Sequence, residues 1–203
     1  MPAMSEDGPA IEPRRLEGIL AFVQAAEQLK DTLRSGRTRQ GRAESTAEHS
    51  WRLCLMALMF ERELVGLDMA RLLKLLVVHD LGEAISGDTP AVVQHADPDR
   101  AARERADLIA LCHPLPTDLR EMIVDLWDEY AAGRTPEAVI AKGLDKLETM
   151  MQHLVGQHSP HFDYAFNLTY GITHTDKHPL LRQIRGIIDE QTAERVGSTP
   201  ARE

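Results

Sequence analysis

One stretch of the sequence, residues 72–90, sets the strongest constraint on how this chain can fold. It begins as the apolar run LLKLLVV, which has the character of a helix buried in a protein interior. The run ends in adjacent His79 and Asp80, with Glu83 three residues later and Asp88 inside a Gly-Asp-Thr-Pro turn. A histidine and an aspartate at the end of a buried segment are costly to desolvate unless they bind something. Because neutral imidazole and carboxylate are both metal ligands, a divalent metal ion is the natural partner.

The apolar residues elsewhere in the chain recur at helical spacing. Helices are predicted near residues 13–33, 46–65, 69–79, 117–132, 135–154 and 180–188. We expect residues 69–79 to form the central, most buried helix, and Thr89 and Pro90 to begin another helix. The sequence therefore predicts an all-α fold, a single-domain helical bundle over residues 12–196 with flexible tails at 1–11 and 197–203.

An arginine-rich segment precedes the second predicted helix. Residues 34–45, RSGRTRQGRAES, predict a polar loop, and one of its arginines could hold a phosphate through its planar fork of donors. Ser45 and Glu48 have the spacing of a capping box, which places His49 in the first turn of the helix that follows. We expect this helix to bury an apolar stripe made of Trp51, Cys54, Leu55, Leu58 and Met59.

A second aspartate, Asp145, lies between Leu144 and Leu147 in an amphipathic segment and is expected to face the core. A buried, unpaired aspartate is unfavourable, so Asp145 requires a metal ion or another cation. The neighbouring Lys142 and Lys146 are expected to point elsewhere on the helix. Four further histidines occur in loop-like surroundings, where we expect structural or surface roles: His158, His161, His174 and His178.

Composition narrows the range of functions. The chain has 203 residues and is 43% hydrophobic, which suits one domain with a proper core. Its 23 basic and 32 acidic side chains give a net charge of −9, which disfavours binding to nucleic acid polymers or anionic membranes. No apolar run approaches the ~18 residues of a membrane span, and we expect no signal peptide. Cys54 and Cys112 lie in apolar patterns, which is typical of reduced core residues in a cytoplasmic protein.

The ordered set of His49, His79-Asp80 and Asp145 on helices resembles the HD-domain phosphohydrolase superfamily. The S-x-x-E-H helix start, the glutamate at position +3 from Asp80 and the Gly-Asp at +7 and +8 are similar to the YfbR-type 5′-deoxynucleotidases. The similarity runs from about residue 29 to about residue 151. It implies an HD-domain bundle that hydrolyses (deoxy)nucleoside 5′-monophosphates to nucleoside and phosphate, and it suggests a homodimer.

The resemblance also implies a role for each matching residue. One divalent metal ion would be held by His49, His79, Asp80 and Asp145, with Co²⁺ or Mn²⁺ favoured and Mg²⁺, Zn²⁺ or Fe²⁺ possible. Glu83 would orient or deprotonate the attacking water next to Asp80, so these two residues are the predicted catalytic pair.

Substrate contacts follow from the same resemblance. Arg34 would orient the phosphate, and Asp88 would hold a sugar hydroxyl with the help of Thr89, Pro90 and Ala91. The bacterial nucleotidase has a tryptophan after the arginine, whereas this chain has Ser35. The resemblance therefore supports phosphohydrolysis more strongly than it supports selectivity for deoxyribose.

Three other interpretations fit parts of the pattern. A two-metal phosphodiesterase or an iron oxygenase of the same fold would need extra histidine ligands, for which His95 and His113 are available. A non-catalytic module would bind nucleotide without turning it over. A purely structural role for the polar residues would require several coincidences of spacing.

Overall fold

The computed structural model describes residues 10–92 and 97–198, most of which lie in helices. The helices are α1 (Pro13–Ala26), α2 (Thr46–Met59), α3 (Met69–Val78), α4 (Glu83–Ser86), α5 (Arg100–Leu111), α6 (Thr117–Ala132), α7 (Pro136–Val155), α8 (Ile172–Thr175) and α9 (Pro179–Ser198). Strands β1 (Leu33–Arg37) and β2 (Ala43–Ser45) form an antiparallel hairpin, and 3₁₀ segments occupy Glu27–Lys30 and Tyr164–Leu168. The predicted helical, single-domain fold is confirmed, apart from this hairpin.

The predicted ends of the domain fall at the edges of what is described. Most of the two predicted tails, 1–11 and 197–203, lies outside the described residues, so the bounds 12–196 stay a prediction. None of the helices within 10–92 and 97–198 combines the length and apolar character needed to cross a bilayer.

Helix α7 is the centre of the bundle. Thr135 caps it by accepting a hydrogen bond from the Ala138 amide at 3.2 Å, and Pro136 stands at the first position, where no N–H is needed. The helix packs against α2, α3, α6, α8, α9 and β1. We expected residues 69–79 to hold this central place, and that expectation is wrong. Helix α3 buries one face and leaves Val77 55% exposed on the other.

The hairpin corrects the prediction of a loop at 34–45. The Thr38 amide donates to the Arg42 carbonyl at 2.8 Å, and Gly41 turns the chain with a φ of 85°. The strand positions that point inward carry Gly36, Glu44 and Ser45. Because these inward residues are polar or lack a side chain, an alternation of apolar residues could not reveal the strands. The pairing register shifts between β1 residues 33 and 37, an irregularity of the kind that re-aims side chains.

Helix α2 turns a different face to the core from the predicted one. Its buried residues are Thr46, His49, Leu53, Met56 and Ala57, and it ends at Met59 rather than near Val65. The predicted stripe is largely on the surface: Trp51 is 65% exposed and Met59 68%, with Leu55 and Leu58 also exposed. The helix has two apolar faces, and burial of His49 selects the one that contains Leu53 and Met56, at i+4 and i+7.

The helix expected to begin at Thr89 is not seen in the described part of this region. Residues 87–92 form no regular helix, residues 93–96 lie outside the described ranges, and α5 begins at Arg100. Gly87 has a φ of 85°, a left-handed conformation that ends α4 and turns the chain before Asp88.

Candidate active site

Three helices bring the predicted ligands together. His49 lies in the first turn of α2, where the capping box formed by Ser45 and Glu48 is present as predicted. His79 caps the C-terminus of α3, and its Nδ1 bonds to the Leu76 carbonyl at 2.8 Å. Asp145 lies on the buried face of α7. The helix starts and ends thus fix the directions from which these side chains enter the interior.

The side chains meet around a small central volume. His49, His79 and Asp145 each offer a ligand atom within 4.8 Å of the others. His49 Nε2 lies 3.3 Å from Asp145 Oδ1 and 3.8 Å from Asp80 Oδ2, and His79 Nε2 lies 3.0 Å from Asp80 Oδ2. The structure therefore places all four predicted ligands at one centre.

The chemistry of this centre fits a divalent cation. The Nε2 atoms of His49 and His79 are buried and make no hydrogen bond of good geometry. Two such nitrogens facing two carboxylates form the donor set of a borderline divalent ion such as Co²⁺, Mn²⁺ or Zn²⁺. A polar nitrogen buried without a partner is otherwise unfavourable. His49, His79, Asp80 and Asp145 would together hold the ion.

The electrostatic environment of the centre also favours a bound cation. Burial and Arg34 act to lower the pKa of His49, but Glu148 and Asp145 outweigh them and raise it to about 9. Burial acts to raise the pKa of Asp80, but His79, His49 and Arg34 hold it at about 2. The carboxylates around His49 thus favour positive charge at this centre, an environment that attracts a cation.

Asp145 presents one oxygen to the centre, because the other is occupied. Its Oδ2 accepts a hydrogen bond from the Tyr130 hydroxyl at 2.8 Å and lies 2.8 Å from the Lys146 ammonium. Burial acts to raise the pKa of Asp145, but Lys146 and His49 hold it well below the ordinary value. Its Oδ1 remains directed at His49.

The prediction that Lys142 and Lys146 point away from the site is wrong. Both line the same cavity as Asp145, and Lys142 Nζ lies 4.3 Å from the centre of the Tyr130 ring. Burial and the charge of Lys146 lower the pKa of Lys142 to about 8. Position 142 is three residues before Asp145 and so on the same helix face, a signal present in the sequence. Lys146 is one residue beyond Asp145, and its long, flexible stem brings its ammonium back to the carboxylate.

Arg34 reaches the centre from strand β1 rather than from a loop. Its Nη1 lies 3.4 Å from Asp80 Oδ2, and its Nη2 donates to Thr149 Oγ1 at 3.1 Å. Burial acts against its charge, but Asp80, Asp88 and Asp145 outweigh this effect and raise its pKa. The guanidinium is a fixed positive group beside the candidate metal centre, as a phosphate contact requires.

Glu83 and Asp88 form a pair of carboxyl groups at the edge of the centre. Glu83 is buried and accepts a hydrogen bond from the Thr46 hydroxyl at 3.2 Å. Burial, with the charges of Asp80 and Asp88, raises the pKa of Glu83 to about 10. Burial also raises the pKa of Asp88, which hydrogen-bonds to Glu83. The charge state of Glu83 thus depends on the charge at Asp80.

These groups open into a cavity of about 390 Å³. Its wall includes Asp88 and Ala91 from the predicted substrate set, whereas Thr89 and Pro90 are not among the lining residues. Ser35 also lines it. Aromatic side chains form much of the remaining wall, and sequence reasoning did not assign them to the site: Trp127, Tyr130, Phe162, Phe166 and Tyr170.

The two histidines considered for a second metal do not both fall within the described residues. His95 is outside them, and His113 is exposed beyond the end of α5 and does not line the cavity. His158 instead stacks on Phe162 with ring centres 3.9 Å apart, and His178 Nδ1 accepts from the Leu180 amide. These positions favour one metal centre over two.

Sequence comparison places the chain among known proteins. The sequence matches the HD domain family over residues 26–185. The 5′-deoxynucleotidase HDDC2 of Danio rerio is 32% identical over 139 residues, which cover 68% of this chain and 68% of that protein. The protein of the same name in Dictyostelium discoideum is 28% identical over 184 residues, covering 83% of this chain and 95% of that protein.

Solved structures extend the comparison to the fold. A predicted metal-dependent phosphohydrolase from Magnetospirillum magnetotacticum MS-1 has a TM-score of 0.80 and 26% identity, covering 92% of this chain and 97% of that one. The family match spans most of the chain, and the structure brings the paired His and Asp residues to one buried centre. The chain therefore belongs to the HD-domain family, as a metal-dependent phosphohydrolase.

Proposed function

We propose that this protein hydrolyses nucleoside 5′-monophosphates, with deoxynucleotides as the main class, to nucleoside and phosphate. The observation that carries the proposal is the meeting of the His49, His79, Asp80 and Asp145 centre with Arg34 and Glu83 in one cavity. The 5′-deoxynucleotidase names of the relatives supply the substrate class.

A bound divalent ion would supply Lewis acidity, lowering the pKa of water and drawing charge from a phosphoryl oxygen. We assign it to His49, His79, Asp80 and Asp145, with Co²⁺ or Mn²⁺ favoured and Mg²⁺, Zn²⁺ or Fe²⁺ as alternatives. Two histidine nitrogens beside two carboxylates can hold any of these ions, and the family resemblance is the reason that Co²⁺ and Mn²⁺ come first.

The protein's own side chains have separate roles in the reaction. Arg34 holds phosphoryl oxygens and stabilises the negative charge on the transferring group. Glu83 lies beside Asp80 and orients the attacking water. A cation that offset the charge of Asp80 would lower the pKa of Glu83 and allow it to accept the proton of that water. The water oxygen bonds to phosphorus, the P–O5′ bond breaks with its electron pair going to O5′, and O5′ takes up a proton.

The rest of the cavity suits the remainder of a nucleotide. Asp88 faces the cavity beside Glu83 and can accept a hydrogen bond from a sugar hydroxyl. Ala91 lies next to it, and Thr89 and Pro90 shape the turn between them. The aromatic side chains Phe162, Phe166 and Trp127 offer flat apolar faces to a base. Lys142 and Lys146 add positive charge within a chain whose net charge is −9.

The test measures phosphate release by metal-stripped protein from a panel of deoxy- and ribonucleoside 5′-monophosphates, with Co²⁺, Mn²⁺, Mg²⁺ or Zn²⁺ added back. Metal-dependent release that disappears in Glu83→Gln and persists in Glu121→Gln is the expected result. Glu121 is an exposed glutamate on α6 and serves as the matched control. No release with any nucleotide and any metal would refute the proposal. The ratio of deoxy to ribo rates measures the sugar selectivity of a chain that carries Ser35.

Two further expectations accompany this function. We propose a homodimer, as the family resemblance suggests, and a cytoplasmic location, which suits free cysteines at Cys54 and Cys112. Light scattering on the purified protein measures the first, and fractionation of cells measures the second.

A further inference from the structure

A buried ionic network lies behind the candidate metal centre, on the side away from the cavity. Its main member is Glu148, whose side chain is fully buried on α7 and does not line the cavity. Glu148 Oε2 contacts His49 Nδ1, and Glu148 Oε1 accepts a hydrogen bond from Arg52 Nε at 2.6 Å. Arg52 also donates to the Glu148 carbonyl at 3.3 Å. Glu148 is thus fixed between a candidate metal ligand and an arginine.

The contact with Glu148 determines which nitrogen His49 can offer to a metal. A neutral imidazole carries one proton, and the nitrogen without it is the ligand. When the protonated Nδ1 donates a hydrogen bond to the Glu148 carboxylate, Nε2 is the nitrogen with a free lone pair. That atom faces Asp145 Oδ1 at 3.3 Å and has no hydrogen-bond partner of good geometry. A carboxylate in this position selects the tautomer, orients the ring and increases the basicity of the ligand.

The same arginine reaches a second buried carboxylate. Arg52 Nη2 lies 3.9 Å from Glu44 Oε1, and Glu44 Oε2 lies 3.8 Å from Arg34 Nε. Glu44 comes from strand β2, and its side chain is 6% exposed. Basic and acidic side chains therefore alternate from Arg34 through Glu44, Arg52 and Glu148 to His49.

Such a network is costly unless it positions something. Burying several charged groups seldom adds net stability relative to a well-packed apolar core of the same volume. Both ends of this network are functional groups in the assignment above, namely the phosphate arginine and a metal ligand. Neither Glu44, Arg52 nor Glu148 lines the cavity, so their influence on a molecule bound there passes through those end groups.

We propose that Glu148, Arg52 and Glu44 are positioning residues that prepare His49 for the metal and Arg34 for the phosphoryl group. Glu148 orients His49 on the metal side, Glu44 orients Arg34 on the phosphate side, and Arg52 contacts both glutamates. The phosphate half rests on the proposed function. The metal half does not, because it concerns ion binding alone.

The two halves predict different effects for different substitutions. Glu148→Gln removes the charge that holds the His49 tautomer and lowers Co²⁺ affinity by about 10- to 100-fold, the usual effect of losing such an outer partner. Glu44→Gln leaves Co²⁺ affinity unchanged and weakens the binding of inorganic phosphate to the Co²⁺-loaded protein. Arg52→Met weakens both, and Arg52→Lys restores part of each.

The experiment titrates metal-stripped protein with Co²⁺, following its visible absorption, and then titrates the loaded protein with inorganic phosphate by calorimetry. Arg105→Met is the matched control, because Arg105 makes a two-pronged contact with Asp128 at 2.8 Å on the surface, away from the cavity. Thermal melting of each metal-free variant identifies those that fail to fold. If Glu148→Gln does not fold, the Arg52 pair provides the same test.

Unchanged Co²⁺ affinity and an unchanged Co²⁺ spectrum in folded Glu148→Gln and Arg52→Met would overturn the metal half. Unchanged phosphate affinity in Glu44→Gln, or no phosphate binding by the wild-type Co²⁺ protein, would overturn the phosphate half. A protein that shows the Glu148 effect but hydrolyses no nucleotide would retain the positioning role and lose the proposed activity. The two failures are therefore distinguishable.

Discussion

Two groups of histidines in this molecule look alike in sequence and differ in what surrounds them. His49 and His79 face Asp80 and Asp145, whereas His158 packs against Phe162 and His174 lies near Lys146 and Lys177. Each of these four has a buried ring nitrogen without a hydrogen-bond partner among the described residues. An unpartnered nitrogen is therefore not enough to identify a metal ligand. The nearby carboxylates distinguish the centre from the C-terminal histidines.

The largest expected effect comes from removing a carboxylate of the centre. Asp145→Asn should lower Co²⁺ affinity by more than the ~100-fold that an outer partner costs, since a direct ligand is lost. Phosphate release should fall with it. His158→Gln, which changes a C-terminal histidine, should leave Co²⁺ affinity unchanged. Calorimetric titration of both metal-stripped variants measures this, and equal losses in the two would contradict the distinction.

Metal removal should have the next largest effect, this time on stability. At Co²⁺ concentrations of 100 times Kd, ion binding should add about 2.7 kcal/mol to the free energy of unfolding. His158→Gln should gain the same increment, because the centre is intact, and Asp145→Asn should gain little. Urea unfolding with Co²⁺ and with chelator measures the increment. A wild-type stability that does not change on chelation would argue against an ion at this centre.

Lys142→Met should have a smaller effect, which is expected in KM. Loss of one charge-assisted hydrogen bond costs about 1.5 kcal/mol, which corresponds to about tenfold in KM for an anionic substrate. Removing this charge should also raise the pKa of His174, which Lys142 helps to lower. Steady-state kinetics and NMR titration measure the two effects, with the exposed Lys30→Met as control. An unchanged KM would remove Lys142 from the substrate contacts.

The smallest expected effect is a pH dependence of stability that comes from the C-terminal histidines. Burial lowers the pKa of His158 and of His174 to about 4, helped by His153 near the first and Lys146 near the second. The unfolded chain binds these protons near the ordinary pKa of 6.5. Their contribution to stability is therefore present above pH 6.5 and is lost as pH falls from 6.5 towards 4.

A double variant, His158→Gln with His174→Gln, should flatten this part of the stability curve. Urea unfolding at several pH values between 7.5 and 4.5, for wild type and variant, gives the comparison. Titration of carboxylates occurs in both proteins, so the difference between the two curves isolates the histidines. Parallel curves would show that these two side chains titrate normally.

The prediction of the centre came from two sources. The buried polar character of the His79-Asp80 pair and of Asp145 pointed to a bound cation, and the resemblance to the HD-domain family added His49 and joined the four residues into one set. The helices themselves followed from apolar spacing and from caps such as Ser45 and Thr135. A polar residue at a position where the helical pattern calls for an apolar one can thus be recognised from the sequence.

The remaining parts of the site depend on contacts that no local pattern contains. Glu148 is three residues after Asp145 and therefore shares its helix face, but only packing of α7 against α2 shows that it meets His49. The inward residues of the hairpin are not apolar, so the sequence shows no alternation of apolar and polar residues that would reveal its strands. Helix α2 has two apolar faces, and packing against the neighbouring helices determines which of them is buried.

The position of Arg34 at the centre depends more on the number of residues in strand β1 than on the types of its outward residues. Successive residues of a strand point to opposite sides, so inserting or deleting one residue in β1 would replace Arg34 by Leu33 or Ser35 at the centre. Substitutions at the outward positions leave the register intact. Over evolutionary time, we expect relatives to vary freely at the outward positions of this strand and to keep both Arg34 and the number of residues between Arg34 and His49.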